Sequence, residues 1–303
     1  MGSEIDIKSK LIIFSKDRAM QLHATLESFL KHCEEADKVK IVIIYKFSSF
    51  KYRNSYEILI NEFKNKLKVE WILEKDFKVN LLKAITKKYK KNNLIYKFKT
   101  FFNKEYKKDD SSIIFSVDDN VFIRNFSINL LNKIIFNYSS VIAFSLRLSN
   151  KHNYCYSSDT FQKIPDFIDK DNHLLFNWIN QEGDFNYPFD ISSSIYKKSF
   201  LMPILEKINF SNPNTLESKL SRLAKKYKKK FPNLLCSKKA IAVCIPFNKV
   251  QNVFNNRALS KNKYDVKTLN EKFLRGYRLD VEKISNIEPT SCHVEYELEY
   301  RLI

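Results

Sequence analysis

Residues 112–120 read SIIFSVDDN, a short apolar run that ends abruptly on Asp118, Asp119 and Asn120. A run this short, bounded by a polar cluster, reads as a buried strand rather than a helix. The same unit recurs on both sides of it. LIIF (11–14) stops at Ser15-Lys16-Asp17-Arg18, and Leu22, Leu26, Phe29 and Leu30 then follow at helical spacing, with Asp17 as the expected N-cap. KIVIIY (40–45) precedes a helix marked by Tyr56, Leu59, Ile60 and Phe63, and VEWIL (69–73) precedes a helix near 79–90. After SIIFSV come a helix near 126–136 and a further strand, VIAFSL (141–146).

Continuous apolar strands alternating with helices predict an α/β, Rossmann-type, mostly parallel sheet with helices on both faces. Sites in such sheets lie beyond the carboxyl ends of the strands. The Ser15–Arg18 loop and the Asp118 cluster both leave strands there, so they are expected to share one cleft. From residue 151 to 200 the pattern is irregular and aromatic, and helices are expected again near 215–230 and 267–275. The expected organisation is a 1–150 α/β part and a 151–303 part, continuous as one domain.

Composition narrows the classes. Charged residues make up 29% of the 303 and only 3 Gly and 7 Pro occur, which is globular and excludes a flexible linker or proline-rich tail. The formal charge of +19 invites a nucleic-acid partner, but 44 of the 53 basic residues are Lys, whereas base-edge and bidentate phosphate contacts favour Arg. The expectation is therefore no nucleic acid. The densest patch, Lys225, Lys226, Lys228, Lys229 and Lys230, suits either a solvated helix face or peripheral contact with an anionic membrane. Five cysteines without a CxxC pair read as reduced thiols of a cytoplasmic protein, and neither a signal peptide nor a membrane span is expected.

Two adjacent carboxylates and an amide at a strand end are poor core material, because buried carboxylates need partners. They suit a hard divalent cation with oxygen ligands, Mg2+ or Mn2+. The plain alternative is an ordinary Asp-Asp-Asn turn. In order, FSKDR (14–18), VDDN (117–120), FSLRL (144–148), YPFDISSSIYKK (187–198), NPNTLE (212–217) and NKVQN (248–252) resemble a bacterial branch of the GT-A nucleotide-sugar glycosyltransferases, of the surface-polysaccharide type. The resemblance covers roughly residues 10–260. It implies a GT-A-like fold with an aromatic-rich acceptor region, a nucleotide-sugar donor (UDP by class frequency), and a glycan or lipid-linked glycan acceptor.

Carried over by position, the resemblance assigns Phe14, Ser15, Arg18, Asp118 and Asp119 to the donor. Asp118, Asp119 and Asn120 become metal ligands, with His293 as a further ligand. Asn120 departs from the usual acidic third position. Inverting transfer to a hydroxyl needs a carboxylate base. Glu217 resembles the acid at the head of the late helix, although Asn214 and Glu217 also have capping-box spacing. Asp190 is its rival. Arg147, Trp178, Asp184, Tyr187 and Phe189 are the expected acceptor-binding residues; dense aromatics are equally core material. The competing functions are a nucleotidyltransferase or sugar-phosphate transferase, and a basic nucleic-acid-binding protein. No GxxxxGK[ST] element exists to support a P-loop enzyme.

Overall fold

The structure is a computed structural model and describes residues 9–86, 111–248 and 264–303. The end of the helix expected near 79–90 and residues 249–252 of NKVQN lie outside the described residues. In chain order the elements are β1 (Lys10–Lys16), α1 (Ala19–His32), β2 (Lys40–Lys46), α2 (Phe50–Phe63), β3 (Val69–Leu73), α3 (Phe77–Ile85), β4 (Ser112–Val117), β5 (Asn120–Phe122), α4 (Ile128–Phe136) and β6 (Val141–Ser145). There follow β7 (Tyr154–Cys155), β8 (Thr160–Phe161), β9 (Ile168–Lys170), β10 (His173–Asn177), β11 (Ser194–Lys197), α5 (Lys198–Lys207) and α6 (Pro213–Tyr227). The chain closes with β12 (Asn233–Cys236), β13 (Ala242–Cys244), α7 (Val266–Leu274), β14 (Tyr277–Leu279), α8 (Val281–Ile284) and β15 (Tyr300–Leu302).

Nine strands form the central sheet in the order β3-β2-β1-β4-β11-β6-β12-β10-β9. The pairs β3/β2, β2/β1, β1/β4 and β6/β12 are parallel. The pairs around β11 and β10 are antiparallel, so these two strands alone are reversed and the other seven run one way. This is the α/β, mostly parallel class expected. Strands from before and after residue 150 share the sheet.

Continuous apolar runs are explained by burial on both faces. In β1, Leu11 and Ile13 enter one core cluster while Ile12 and Phe14 enter the other; in β2, Ile41 and Ile43 oppose Val42 and Ile44. Successive side chains alternate across a strand, so both sets need an apolar layer. On one face α1 supplies Leu22, Leu26 and Phe29 and α2 supplies Tyr56, Leu59 and Phe63. On the other lie Phe77, Leu81 and Leu82 of α3 and Leu216, Leu220 and Ala224 of α6.

Two cap expectations are corrected. Asp17 does not cap α1. It takes a left-handed φ of 59° and its carboxylate accepts from Ser48 N at 2.7 Å, tying the β1 loop to the end of β2. The capping box of α6 is Asn212 with Thr215, not Asn214 with Glu217, because Pro213 already stands in the first turn. Asn212 Oδ1 accepts from Thr215 N at 2.9 Å. Glu217, beyond a closed cap, is left free of that duty.

β11 was not anticipated. In ISSSIYKK it carries no apolar run, yet it slots between β4 and β6, with Ser193 at φ 65° turning the chain in. No helix among the described residues is long and apolar enough to cross a membrane.

Candidate active site

β1 and β4 are parallel neighbours with Phe14 opposite Val117, so their loops leave the sheet side by side. They open into a cavity of about 850 Å³. Phe14, Ser15, Arg18, Asp118 and Asp119 line one end of it; Arg147, Asp184, Tyr187, Asp190, Glu217 and His293 also line it. The chain thus brings eleven of the expected site residues to one wall system.

At the β1/β4 end, Asp118 is buried and both carboxylate oxygens are engaged. Its Oδ2 accepts from Ser15 Oγ at 2.8 Å and from Lys16 N at 3.3 Å, and its Oδ1 from Arg18 Nη1 at 3.1 Å. Arg18 Nη1 also donates to Asp119 Oδ2 at 3.0 Å, and the Cys244 thiol donates to Asp119 Oδ1 at 3.3 Å. Burial, reinforced by the charge of Asp119, pushes the Asp118 carboxyl up to about 6 against the pull of Arg18 and Ser15. Arg18 is steadied on its far side by Asn248, whose Oδ1 accepts from Nε at 3.0 Å and whose carbonyl accepts from Nη2.

Elsewhere in the lining, Arg147 Nη2 pairs with Asp190 Oδ2 at 3.0 Å, both side chains nearly buried. Asp190 is further held by Ser192 N at 2.7 Å and Ser194 Oγ at 3.3 Å. Glu217 has one long contact, from Ile191 N at 3.4 Å. Burial and the neighbouring Asp190 charge push its carboxyl up to about 7. Burial also raises Asp184 above the usual carboxylate range, against the pull of Arg147. His293 lies 3.4 Å from Arg147 Nη1; burial and that charge push it down to about 3, so its imidazole is neutral.

Three expected residues are not brought to the cavity. Asn120, expected among the metal ligands, is the first residue of β5 and is fully buried; its Nδ2 donates to Ser116 Oγ at 3.2 Å. Pairing of β5 with β13 turns it into the core, so the cluster presents two carboxylates, not three ligands. Trp178 is 4% exposed and donates from Nε1 to the Phe231 carbonyl at 2.8 Å. Phe189 is fully buried and stacks on Tyr196 at 6.2 Å. Both are core, because that wall is closed by apolar packing rather than by a ligand.

Sequence reasoning misses Tyr56, Asn248 and Cys244. Tyr56 reads only as an apolar helix position, yet its hydroxyl lies 2.7 Å from Ser15 Oγ and accepts from Arg18 N at 3.3 Å. Asn248 stands out only as the start of a motif. Its partner is 230 positions away, and no local pattern signals such a pair.

Two carboxylates fit a hard divalent cation. Mg2+ is commonly held by one or two carboxylates together with substrate phosphates rather than by an all-protein cage. No group of three or more His, Cys, Asp or Glu among the described residues forms such a cage. The Arg18 guanidinium already bridges Asp118 and Asp119, a stand-in cation where positive charge is demanded.

The chain is 25% identical over 274 residues to the bifunctional glycosyltransferase pgtA of Dictyostelium discoideum, covering 82% of this chain and 33% of the relative. The chain is thus similar in sequence to part of a glycosyltransferase. It spans about a third of that relative's length, and no family model matches it. Among solved structures, S. aureus TarS 1-349 in complex with UDP-GlcNAc aligns with a TM-score of 0.47 at 12% identity, covering 92% of this chain and 69% of that one. The mannosyltransferase PcManGT of Pyrobaculum calidifontis, in complex with GDP-Man and Mn2+, aligns with a TM-score of 0.42 at 11% identity, covering 85% and 58%.

Proposed function

We propose that this chain transfers a sugar, with inversion, from a nucleotide-sugar donor to a glycan acceptor in surface-polysaccharide biosynthesis. The observation that carries the reading is one cavity holding the Asp118–Asp119 pair at one end and a weakly engaged Glu217 carboxylate among its walls. Residues 1–150 supply the donor part, with Phe14, Ser15 and Arg18 at the nucleotide, and residues 151–303 the acceptor part.

Glu217 is the base in this reading. Asp190 is saturated by Arg147, Ser192 and Ser194, whereas Glu217 makes one weak contact and its carboxyl titrates near neutrality. It takes the proton of the acceptor hydroxyl as that oxygen bonds to the anomeric carbon, and the nucleoside diphosphate leaves with the electrons of the broken bond. Asp190 and Arg147 position the acceptor alongside Asp184 and Tyr187. A Mn2+ or Mg2+ ion would be held by Asp118 and Asp119 and would supply charge neutralisation at the diphosphate; His293, expected as a further ligand, instead sets its Nε2 against the Arg147 guanidinium and forms no three-residue group with the two carboxylates.

Calorimetry tests the donor end. UDP is expected to bind the wild-type chain, more tightly with Mn2+, and a nucleotide-sugar hydrolysis screen with and without Mn2+ is expected to identify the donor. Absence of any nucleotide binding, with salt-sensitive binding to nucleic acid instead, overturns the reading.

The helix that carries Glu217 also supports peripheral contact with an anionic membrane. Lys219, Arg222, Lys225, Lys226, Lys228 and Lys229 are exposed, and none forms an ion pair among the described residues. Lys219, Arg222 and Lys226 recur at helical spacing as one stripe, and Lys228 and Lys229 follow the end of the helix at Tyr227. Sedimentation with phosphatidylserine-containing vesicles, absent with neutral vesicles and lost in K225E/K226E/K229E, is the expected result. Equal sedimentation of that variant removes the membrane from the proposal.

A further inference from the structure

Arg18 presents a problem of charge. It lies between Asp118 Oδ1 at 3.1 Å and Asp119 Oδ2 at 3.0 Å, the two carboxylates proposed to hold the metal. The remaining oxygens of both carboxylates are also claimed, by Ser15, Lys16 N and Cys244. A guanidinium and a divalent cation bridging the same oxygens repel each other. At an effective dielectric of about 20, unit charges 4 Å apart interact by about 4 kcal/mol. They therefore do not share this position.

We infer that Arg18 is a placeholder counter-ion: it neutralises Asp118 and Asp119 in the free chain, competes with the divalent cation for them, and yields when a nucleoside diphosphate offers its phosphate oxygens instead. The inference rests on the metal reading of Asp118 and Asp119. Its consequence is coupling. Metal binds weakly to the free chain and more strongly with the diphosphate, because the anion supplies Arg18 with a new partner, and the coupling is reciprocal. Arg18 is suited to such an exchange. Its fork is held at the rear by Asn248 through Nε and Nη2, leaving Nη1 to the acidic pair. Without Arg18 the two carboxylates would repel one another and take the cation more readily.

Mn2+ binding, read from the free-ion EPR signal at pH 8, tests this without any turnover. Wild-type chain is expected to bind Mn2+ weakly alone and at least about tenfold more tightly with UDP. Arg18→Met is expected to bind Mn2+ at least about tenfold more tightly than wild type in the absence of UDP, and to lose most of the gain on adding UDP. Arg18→Lys, which keeps a charge but loses the hold of Nε and Nη2 on Asn248, is expected to fall between them and decides the matter if the Met variant does not fold. Wild type and variants binding Mn2+ equally, with the same UDP effect, overturns the placeholder role and leaves the metal reading standing. No Mn2+ binding by any of them, with or without UDP, removes the metal reading and the inference together.

Discussion

Glu217→Gln is expected to lower kcat by about 10²- to 10⁴-fold, the range in which general acid–base groups contribute, with UDP binding unchanged. Glutamine keeps the size of the side chain but cannot accept a proton. Because Glu217 makes one 3.4 Å contact from Ile191 N and stands outside the Asn212–Thr215 cap, the substitution breaks no structural network. The pH profile is the second signature. With its carboxyl pushed up to about 7 by burial and Asp190, the wild-type base is protonated below neutrality, so kcat/KM falls on the acid side with an apparent pKa near 7. Stability moves in the opposite sense. The native chain holds this proton more tightly than the unfolded chain, so the contribution of Glu217 favours folding at low pH and is lost as pH rises from about 4.5 through about 7. The Glu217→Gln substitution would flatten both curves. A variant within about tenfold of wild-type turnover, folded and binding donor, would end the case for Glu217 as base and return the role to Asp190.

Arg147→Met carries the largest expected loss of stability. Arg147 and Asp190 are 6% and 7% exposed and pair at 3.0 Å; burial works against the Arg147 charge, and the Asp190 carboxylate together with its other neighbours, Asp184 among them, more than offsets it. Removing one partner leaves a nearly buried charge uncompensated, which costs about 3–5 kcal/mol where pairs of this kind are broken. Urea denaturation measures it. Arg147→Met combined with Asp190→Asn removes both charges and is expected to recover a substantial part of the loss, since the penalty lies in the orphaned carboxylate and not in the missing attraction. If the double variant is as unstable as the single one, Arg147 contributes through packing of its stem rather than through the pair.

The elements that could be read in advance are those whose burial is repeated locally. β1, β2 and β4 announce themselves because each strand is buried on both faces, and α1, α2 and α6 because one face repeats every three or four residues. The strand-end position of the acidic pair was legible to the same degree. A strand that ends on two carboxylates signals polar work at its carboxyl end whatever the rest of the chain does. β11 escaped because its neighbours β4 and β6 determine its pairing, not any pattern within SIYK. Asn120, Trp178 and Phe189 were misplaced for a related reason. An amide or an aromatic ring serves a core as readily as a ligand, and only the surrounding packing chooses.

By itself, then, the sequence determined the alternation of the main strands and helices as far as β6, the mostly parallel sheet, and the strand-end position of Asp118 and Asp119, because these follow from short-range periodicity and from the cost of burying carboxylates without partners. Only the tertiary structure decided that Arg18 bridges the two carboxylates, that Asn248 holds Arg18 from 230 residues away, that Arg147 saturates Asp190, and that Glu217 is left free. Those are pairings across the chain, fixed by where the sheet brings loops together, and a pairing energy has no trace in the local order of residues on either side.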